Sequence, residues 1–256
     1  MVTRLVIIPT YNEIENIEKI IENVFSQQRA YDILVVDDNS PDGTYEAVIQ
    51  LQNKYIDKLF ILSRSTKNGL GRAYIDGFKW ALRKHYEYIF QMDADFSHSP
   101  NDLIRLYNYS KKKNADLVIG SRYKTGVNVV NWPMSRVLLS YMASQYVRFI
   151  TGMNIQDTTA GFVCYRRRVL ESIDLDSIKF VGYAFQIEMK FKTYLKGYRI
   201  KELSVIFVNR TRGESKMNST IISEALFGVI LMKFKSMISG KINYKSSQIA
   251  LICKRK

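Results

Sequence analysis

The sequence predicts an α/β fold, a parallel sheet with helices packed on both faces. Three observations carry this. Over the first 122 residues, short apolar runs alternate with segments whose apolar residues recur at helical spacing. The four prolines, Pro9, Pro41, Pro100 and Pro133, fall at the ends of these segments and interrupt none of them. The composition, 46% apolar and 24% charged, is that of a globular chain and excludes disordered, collagen-like and coiled-coil readings.

The elements follow in order. Arg4–Pro9 reads as a strand ending at a proline. Ile14, Ile17, Ile21, Val24 and Phe25 then recur as one helical face. Asp32–Asp38 is a second strand, followed by a turn at Ser40-Pro41-Asp42-Gly43 and a helix from Thr44, a candidate cap, to about Tyr55. Leu59–Ser63 and Gly71–Lys84 form the third strand and helix. Tyr88–Met92 is the fourth strand, and the next helix opens at Ser99-Pro100, where serine can cap and proline suits the first turn. Ala115–Ser121 is the fifth strand. Residues 133–152 and about 219–239 read as later helices. The reading is one α/β domain over residues 1–217 with a basic extension over 218–256, where seven Lys/Arg from 217 onward meet one acid, Glu224.

Composition bounds the chemistry. A chain of 256 residues can bury a sizeable core without staples. Cys164 and Cys253 are the only cysteines, and His85 and His98 the only histidines, so a disulfide framework and Cys- or His-rich metal sites are excluded. Thirty-eight basic against twenty-four acidic residues give a formal charge of +14, which must face something anionic. Met1–Arg4 run directly into a four-residue apolar stretch, too short for a signal sequence, and no uncharged run approaches the ~18 residues of a membrane span. A cytosolic protein, or one on a membrane facing the cytosol, is expected.

In open α/β sheets ligands bind beyond the carboxyl ends of the strands. Here those ends carry Pro9-Thr10-Tyr11-Asn12-Glu13, Asp37-Asp38-Asn39-Ser40, Asp93-Ala94-Asp95 and Gly120-Ser121-Arg122. Alternate residues of an extended chain face one way, so Asp93 and Asp95 can share a cation. A hard ion with open positions for phosphate oxygens, Mg²⁺ or Mn²⁺, suits such a pair; a solvated turn is the plain structural alternative. Asp37 and Asp38 follow the apolar run Ile33–Val36 and suit hydrogen bonding to a ribose or base.

These segments resemble the signatures of the inverting GT-A glycosyltransferases of family 2. Asn68-Gly69-Leu70-Gly71, Phe96-Ser97-His98-Ser99-Pro100, Gly120-Ser121-Arg122-Tyr123 and Trp132-Pro133-Met134-Ser135-Arg136 narrow the likeness. So do Asp157-Thr158-Thr159-Ala160-Gly161-Phe162, Phe185-Gln186-Ile187-Glu188 and Arg210-Thr211-Arg212-Gly213-Glu214-Ser215-Lys216-Met217. In that order, over about residues 3–217, the set resembles the dolichol- or polyprenol-phosphate mannosyltransferases.

The resemblance implies a GT-A fold, with a Rossmann-like mixed sheet, and inverting transfer of mannose from GDP-mannose to a polyprenyl phosphate. Pro9, Tyr11, Glu13, Val36, Asp38, Ala94 and Gln186 are then expected around the nucleotide sugar. Asp93 and Asp95 are expected on the metal, with Asp95 also catalytic. Some relatives have a Gln ligand two residues after the second Asp; this chain has Ser97 there. A phosphate monoester is already ionised and needs no general base. The task left is to bring two anions together, and Arg122, Arg136, Arg210 and Lys216 are assigned to it. Asp157 reads as structural or sugar-facing, Arg212 as a surface residue, Cys164 as a core thiol, and Lys111–Lys113 and Arg166–Arg168 as solvated faces. Transfer from UDP-glucose, and a non-catalytic nucleotide-binding membrane adaptor, are the rivals. Nucleic-acid binding is disfavoured by the acids at the sheet edge.

On the helix at 219–239, Glu224, Gly228 and Lys235 share a narrow stripe and nearly all the rest except Lys233 is apolar. That suits an interfacial helix with snorkelling lysines on an anionic membrane surface. The protein is expected to sit peripherally on the cytoplasmic face of a bacterial inner membrane or the endoplasmic reticulum, directly or through a small anchoring subunit.

Overall fold

The computed structural model describes residues 3–209 and 226–238. Seven strands form the main sheet: β1 (Arg4–Thr10), β2 (Asp32–Asp37), β3 (Leu59–Ser63), β4 (Tyr88–Gln91), β5 (Leu117–Ser121), β7 (Val163–Arg166) and β8 (Ile200–Ser204), in the order β3-β2-β1-β4-β7-β5-β8. Two short strands, β6 (Val129–Val130) and β9 (Phe207–Val208), pair separately. The helices are α1 (Ile17–Phe25), α2 (Thr44–Gln52), α3 (Leu70–Leu82), α4 (Asn101–Lys113), α5 (Met134–Thr151), α6 (Arg167–Ser172), α7 (Tyr183–Leu195) and α8 (residues 226–238).

Alternation along β1 sorts the core. Val6 and Ile8 pack with Ile17, Ile20 and Val24 of α1, Val48 of α2 and Leu103 of α4. Leu5 and Ile7 point to the other face, with Tyr74 and Phe78 of α3, Leu170 of α6 and Phe185 of α7. Gly77 lets α3 lie close on the sheet, since a Cβ there would stand 2.8 Å from Ile7.

The sheet is mixed, as the resemblance implied, and the parallel order read from the alternation alone is broken by one strand. β7 runs antiparallel between β4 and β5, with Val163 opposite Gln91 and Ile119. Its amino end therefore lies at the carboxyl ends of its neighbours, and the loop before it, residues 157–162, reaches the same rim as the strand-end motifs.

Other differences are local. β5 starts at Leu117, two residues later than read, and the Ala115 amide still donates to the Ser110 carbonyl of α4. Thr44 does not cap α2; that position is Gly43, at φ 91°. Ser99 makes no side-chain cap; its carbonyl accepts from the Asp102 amide. Arg168 is exposed, as a solvated face would be, and Arg167 is half-buried, but both have fixed partners. Arg167 donates to the Leu82 carbonyl at the end of α3 and pairs with Glu171, and Arg168 pairs with buried Asp116.

Candidate active site

A cavity of about 520 Å³ opens over the carboxyl ends of β1, β2, β4 and β5. One wall is acidic. Asp37 and Asp38 end one strand, so their side chains diverge. Asp37 is fully buried, accepting from the Thr10 hydroxyl at 2.8 Å and from the Ser40 amide and hydroxyl at 2.9 and 2.6 Å. It braces the turn and does not line the cavity, which corrects its expected ligand role. Asp38 does line it, held by Arg64, which also pairs with Asp76 at 2.9 Å. Burial raises the Asp38 carboxyl above its ordinary value, although Arg64 opposes this.

The loops after β1 and β2 are laced together. Ser40, Asp42 and Thr44 accept from the amides of Asn12, Ile14 and Glu13 at 3.0–3.1 Å. This fixes Tyr11 and Glu13 on the cavity wall beside Pro9, and Lys67 lies 3.9 Å over the Tyr11 ring. Val36 is corrected: its side chain is buried in the core near Gly77 and does not line the cavity.

Asp93, Ala94, Asp95, Ser97 and His98 line the cavity from the loop after β4. The Tyr74 hydroxyl donates to Asp93 at 3.3 Å, and the Ser97 amide donates to Asp95 at 3.1 Å. Phe96 sits at φ 60°, a left-handed conformation uncommon for a bulky residue, and turns the loop sharply. The His98 ring accepts from the Asp93 amide at 3.1 Å and stacks on Phe162. The Ser97 hydroxyl is buried with no hydrogen-bond partner among the described residues.

The other wall is basic and aromatic. From the end of β5, Arg122 gives its amide, Nε and Nη2 to Asp157 at 2.8, 2.7 and 2.6 Å, and Nη2 also donates to the Thr159 hydroxyl at 2.8 Å. Asp157 is fully buried. Burial alone would raise its carboxyl, but the Arg122 charge and hydrogen bonds outweigh that and hold it below the ordinary range. An acid so bound is a brace and not a general base. Trp132 and Phe207 flank the Arg122 guanidinium at 5.4 and 5.7 Å. Arg136 lies 4.0 Å over Trp132 and donates to Asn209 at 2.9 Å. On the back wall, Gln186 of α7 is buried, and neither its amide nitrogen nor its oxygen has a partner among the described residues.

The structure thus brings Pro9, Tyr11, Glu13, Asp38, Asp93, Ala94, Asp95, Arg122, Arg136 and Gln186 around one cavity. Arg210, Arg212 and Lys216 lie outside the described residues. Not expected at the site were Lys67 and the ring contacts of His98; His98 stood within a quoted motif and is one of two histidines, which was the available signal.

The cavity mouth is apolar. Leu139, Ala143 and Tyr146 of α5 and Leu226 of α8 line it. Outward from them Met134, Leu138, Met142 and Phe149 of α5 and Phe227, Leu231 and Phe234 of α8 are exposed, Phe149 at 86% and Phe227 at 71%. Gly228 and Val229 form the buried side of α8, against Phe180, and Lys233 donates to the Thr151 carbonyl at 3.3 Å, tying α8 to α5. Among the described residues no helix is long and apolar enough to cross a membrane.

Residues 5–174 match the family described as Glycosyl transferase family 2, and the chain belongs to that family. It is a glycosyltransferase. It is 45% identical over 225 residues, 88% of this chain and 84% of the other, to polyprenol monophosphomannose synthase of Mycolicibacterium smegmatis. It is equally identical, over 91% of the other chain, to undecaprenyl-phosphate mannosyltransferase of Micrococcus luteus. Among solved structures it resembles glucosyl-3-phosphoglycerate synthase from Mycobacterium tuberculosis in complex with Mn²⁺, uridine diphosphate and phosphoglyceric acid. That match has a TM-score of 0.65 at 16% identity, over 90% of this chain and 78% of that one. S. aureus TarS 1-349 with UDP-GlcNAc matches with a TM-score of 0.63 at 20% identity, over 91% and 65% of the two chains. These likenesses establish the GT-A fold.

Proposed function

We propose that this protein transfers mannose, with inversion, from GDP-mannose to the phosphate of a polyprenyl phosphate at a membrane surface. The observation that carries the reading is the placement of the cavity. Its acidic wall suits a nucleotide diphosphate with its cation, its basic wall suits a second phosphate, and its mouth opens between two helices that expose large apolar side chains. A phosphate on a long hydrocarbon tail meets all three demands. The names of the relatives supply the sugar.

Asp93 and Asp95 would hold a divalent cation. Among the described residues no group of three or more His, Cys, Asp or Glu converges. Two protein carboxylates, with the orphaned Ser97 hydroxyl on the same wall, leave most of the coordination to diphosphate and water, which suits Mg²⁺ or Mn²⁺. When bound, the ion would offset charge on the leaving diphosphate. Pro9, Tyr11, Glu13, Asp38 and Ala94 contact the nucleotide, and the unpartnered Gln186 amide presents a donor and an acceptor to sugar hydroxyls. Arg122 and Arg136, with Arg210 and Lys216, receive the acceptor phosphate. That phosphate attacks the anomeric carbon as it stands, without giving up a proton. The exposed faces of α5 and α8 and the basic extension rest on anionic headgroups.

The test is a panel of radiolabelled sugar nucleotides with a short polyprenyl phosphate and added Mg²⁺ or Mn²⁺. Mannose should pass from GDP-mannose into a lipid-extractable, acid-labile product. Transfer of glucose from UDP-glucose, with none from GDP-mannose, would overturn the donor assignment.

A further inference from the structure

Lys190 lies on α7, one turn beyond Gln186, and is completely buried. An ammonium taken out of water costs several kcal/mol unless it is matched by opposite charge and hydrogen bonds. Its Nζ donates to the Ala160 carbonyl at 2.6 Å and to the Gln186 carbonyl at 3.4 Å. Both residues line the cavity. Ala160 belongs to the loop that carries Asp157 and Thr159, the two residues that hold Arg122.

That loop is gripped at both ends. At its start, the amides of Gln156 and Asp157 donate to the Glu202 carboxylate of β8 at 2.8 and 2.9 Å. At its far end the grip is Lys190. The charged groups that face Lys190 are Asp157 from the loop, Glu202 from β8 and Arg122 from the end of β5. Two cations and two anions from four different segments are therefore enclosed together, none more than 7% exposed.

We propose that Lys190 is a positioning residue: its buried amino group fastens the 157–161 loop to α7 and so aims Gln186 at the bound donor and the Arg122–Asp157 pair at the acceptor phosphate. The proposal rests on the glycosyl-transfer reading above and adds to it the device that sets the distance between the back wall and the basic wall. Burial, with Arg122 nearby, brings the amine down to about 7 although Asp157 and Glu202 oppose this. Below that value the fastening is charge-assisted and the four charges balance; above it the amine is neutral and its hydrogen bond to Ala160 weakens.

The experiment compares the full-length wild type with Lys190→Met and Lys190→Gln. Amide exchange of the segment spanning 157–165 is followed by mass spectrometry at pH 6 and 8.5, without sugar nucleotide. At pH 6 the Met variant should exchange about tenfold faster in this segment, the loss of one hydrogen bond to a charged donor, with the β1–β2 region unchanged. The gap should narrow at pH 8.5, and Gln, which keeps a donor, should recover part of the protection; it also serves if the Met variant does not fold. In mannosyl transfer, kcat should fall about tenfold with donor KM nearly constant, since placement and not uniform binding is lost. Equal exchange at both pH values, or a loosened loop with unchanged kcat, would overturn the proposal. Absence of mannose transfer by the wild type would sink the donor reading, while the exchange difference would still report the fastening.

Discussion

The acidic wall of the cavity is held by ties between two compact stretches of chain, residues 10–14 and 37–44. Asp37, Ser40, Asp42 and Thr44 lie within eight residues of one another and lace the loops after β1 and β2 through backbone amides. The basic wall is assembled from residues scattered from Arg122 to Asn209 and depends on buried charge: Arg122 on Asp157, Asp157 on Glu202, the same loop on Lys190. The contrast teaches that the two walls should fail differently. Changes on the first should remove chemistry and leave the fold. Changes on the second should disturb chemistry and fold together.

The sharpest test is Asp95→Ala on the acidic wall. Turnover should fall by about 10²-fold or more, as for loss of a major electrostatic group, while thermal unfolding stays near that of the wild type. Initial rates across a Mg²⁺ and Mn²⁺ titration would check this; near-normal activity without added metal would remove Asp95 from the cation site.

Arg122→Ala probes the opposite rule. It strands a fully buried carboxylate, so a loss of about 3–5 kcal/mol is expected beside the loss of activity. The pH profile adds a sign. In the wild type the Asp157 carboxyl is held below its ordinary value of about 4, so its contribution is present above that pH and is lost only as acid drives the pH down through the lowered value. Without Arg122, burial should dominate and raise that carboxyl, and the variant should lose stability as pH rises from about 4 toward neutrality. Denaturant midpoints between pH 4 and 8 should therefore slope apart; parallel profiles would break the comparison.

The smallest effect belongs to the mouth. Phe149→Glu or Phe227→Glu removes an exposed aromatic from α5 or α8. Each should weaken sedimentation with anionic vesicles by about tenfold, from the loss of roughly 1.5–3 kcal/mol of apolar burial in lipid. Turnover of a detergent-soluble short acceptor should barely move. Unchanged sedimentation would show that the apolar platform faces something other than lipid.

This contrast also explains what the sequence revealed. The acidic wall was legible because strand, motif and turn are contiguous there, and alternation at a strand end could even have separated Asp37 from Asp38. Helices and strands through Ser121 fell where periodicity placed them, to within a few residues. The four-residue strand Val163–Arg166 has no hairpin turn and no long apolar run, so its reversed insertion left no mark in the periodicity, and only the resemblance implied a mixed sheet. Lys190 stands two residues from Lys192, and the groups that face it, Asp157, Ala160 and Glu202, lie elsewhere in the chain. Arg167 and Arg168 looked like a charge run for the same reason: Leu82 and Asp116 are remote in sequence.

The reversed strand also shapes how such an enzyme can change over time. In a wholly parallel sheet, each segment at the rim must be bought with a full crossover helix. Turning β7 upside down adds a further lip to the reaction chamber, residues 157–162, anchored by the strand that leaves it. Asp157, Thr158, Ala160 and Phe162 of that lip are buried, so the residues that shape the chamber also hold the scaffold, and the two must change together.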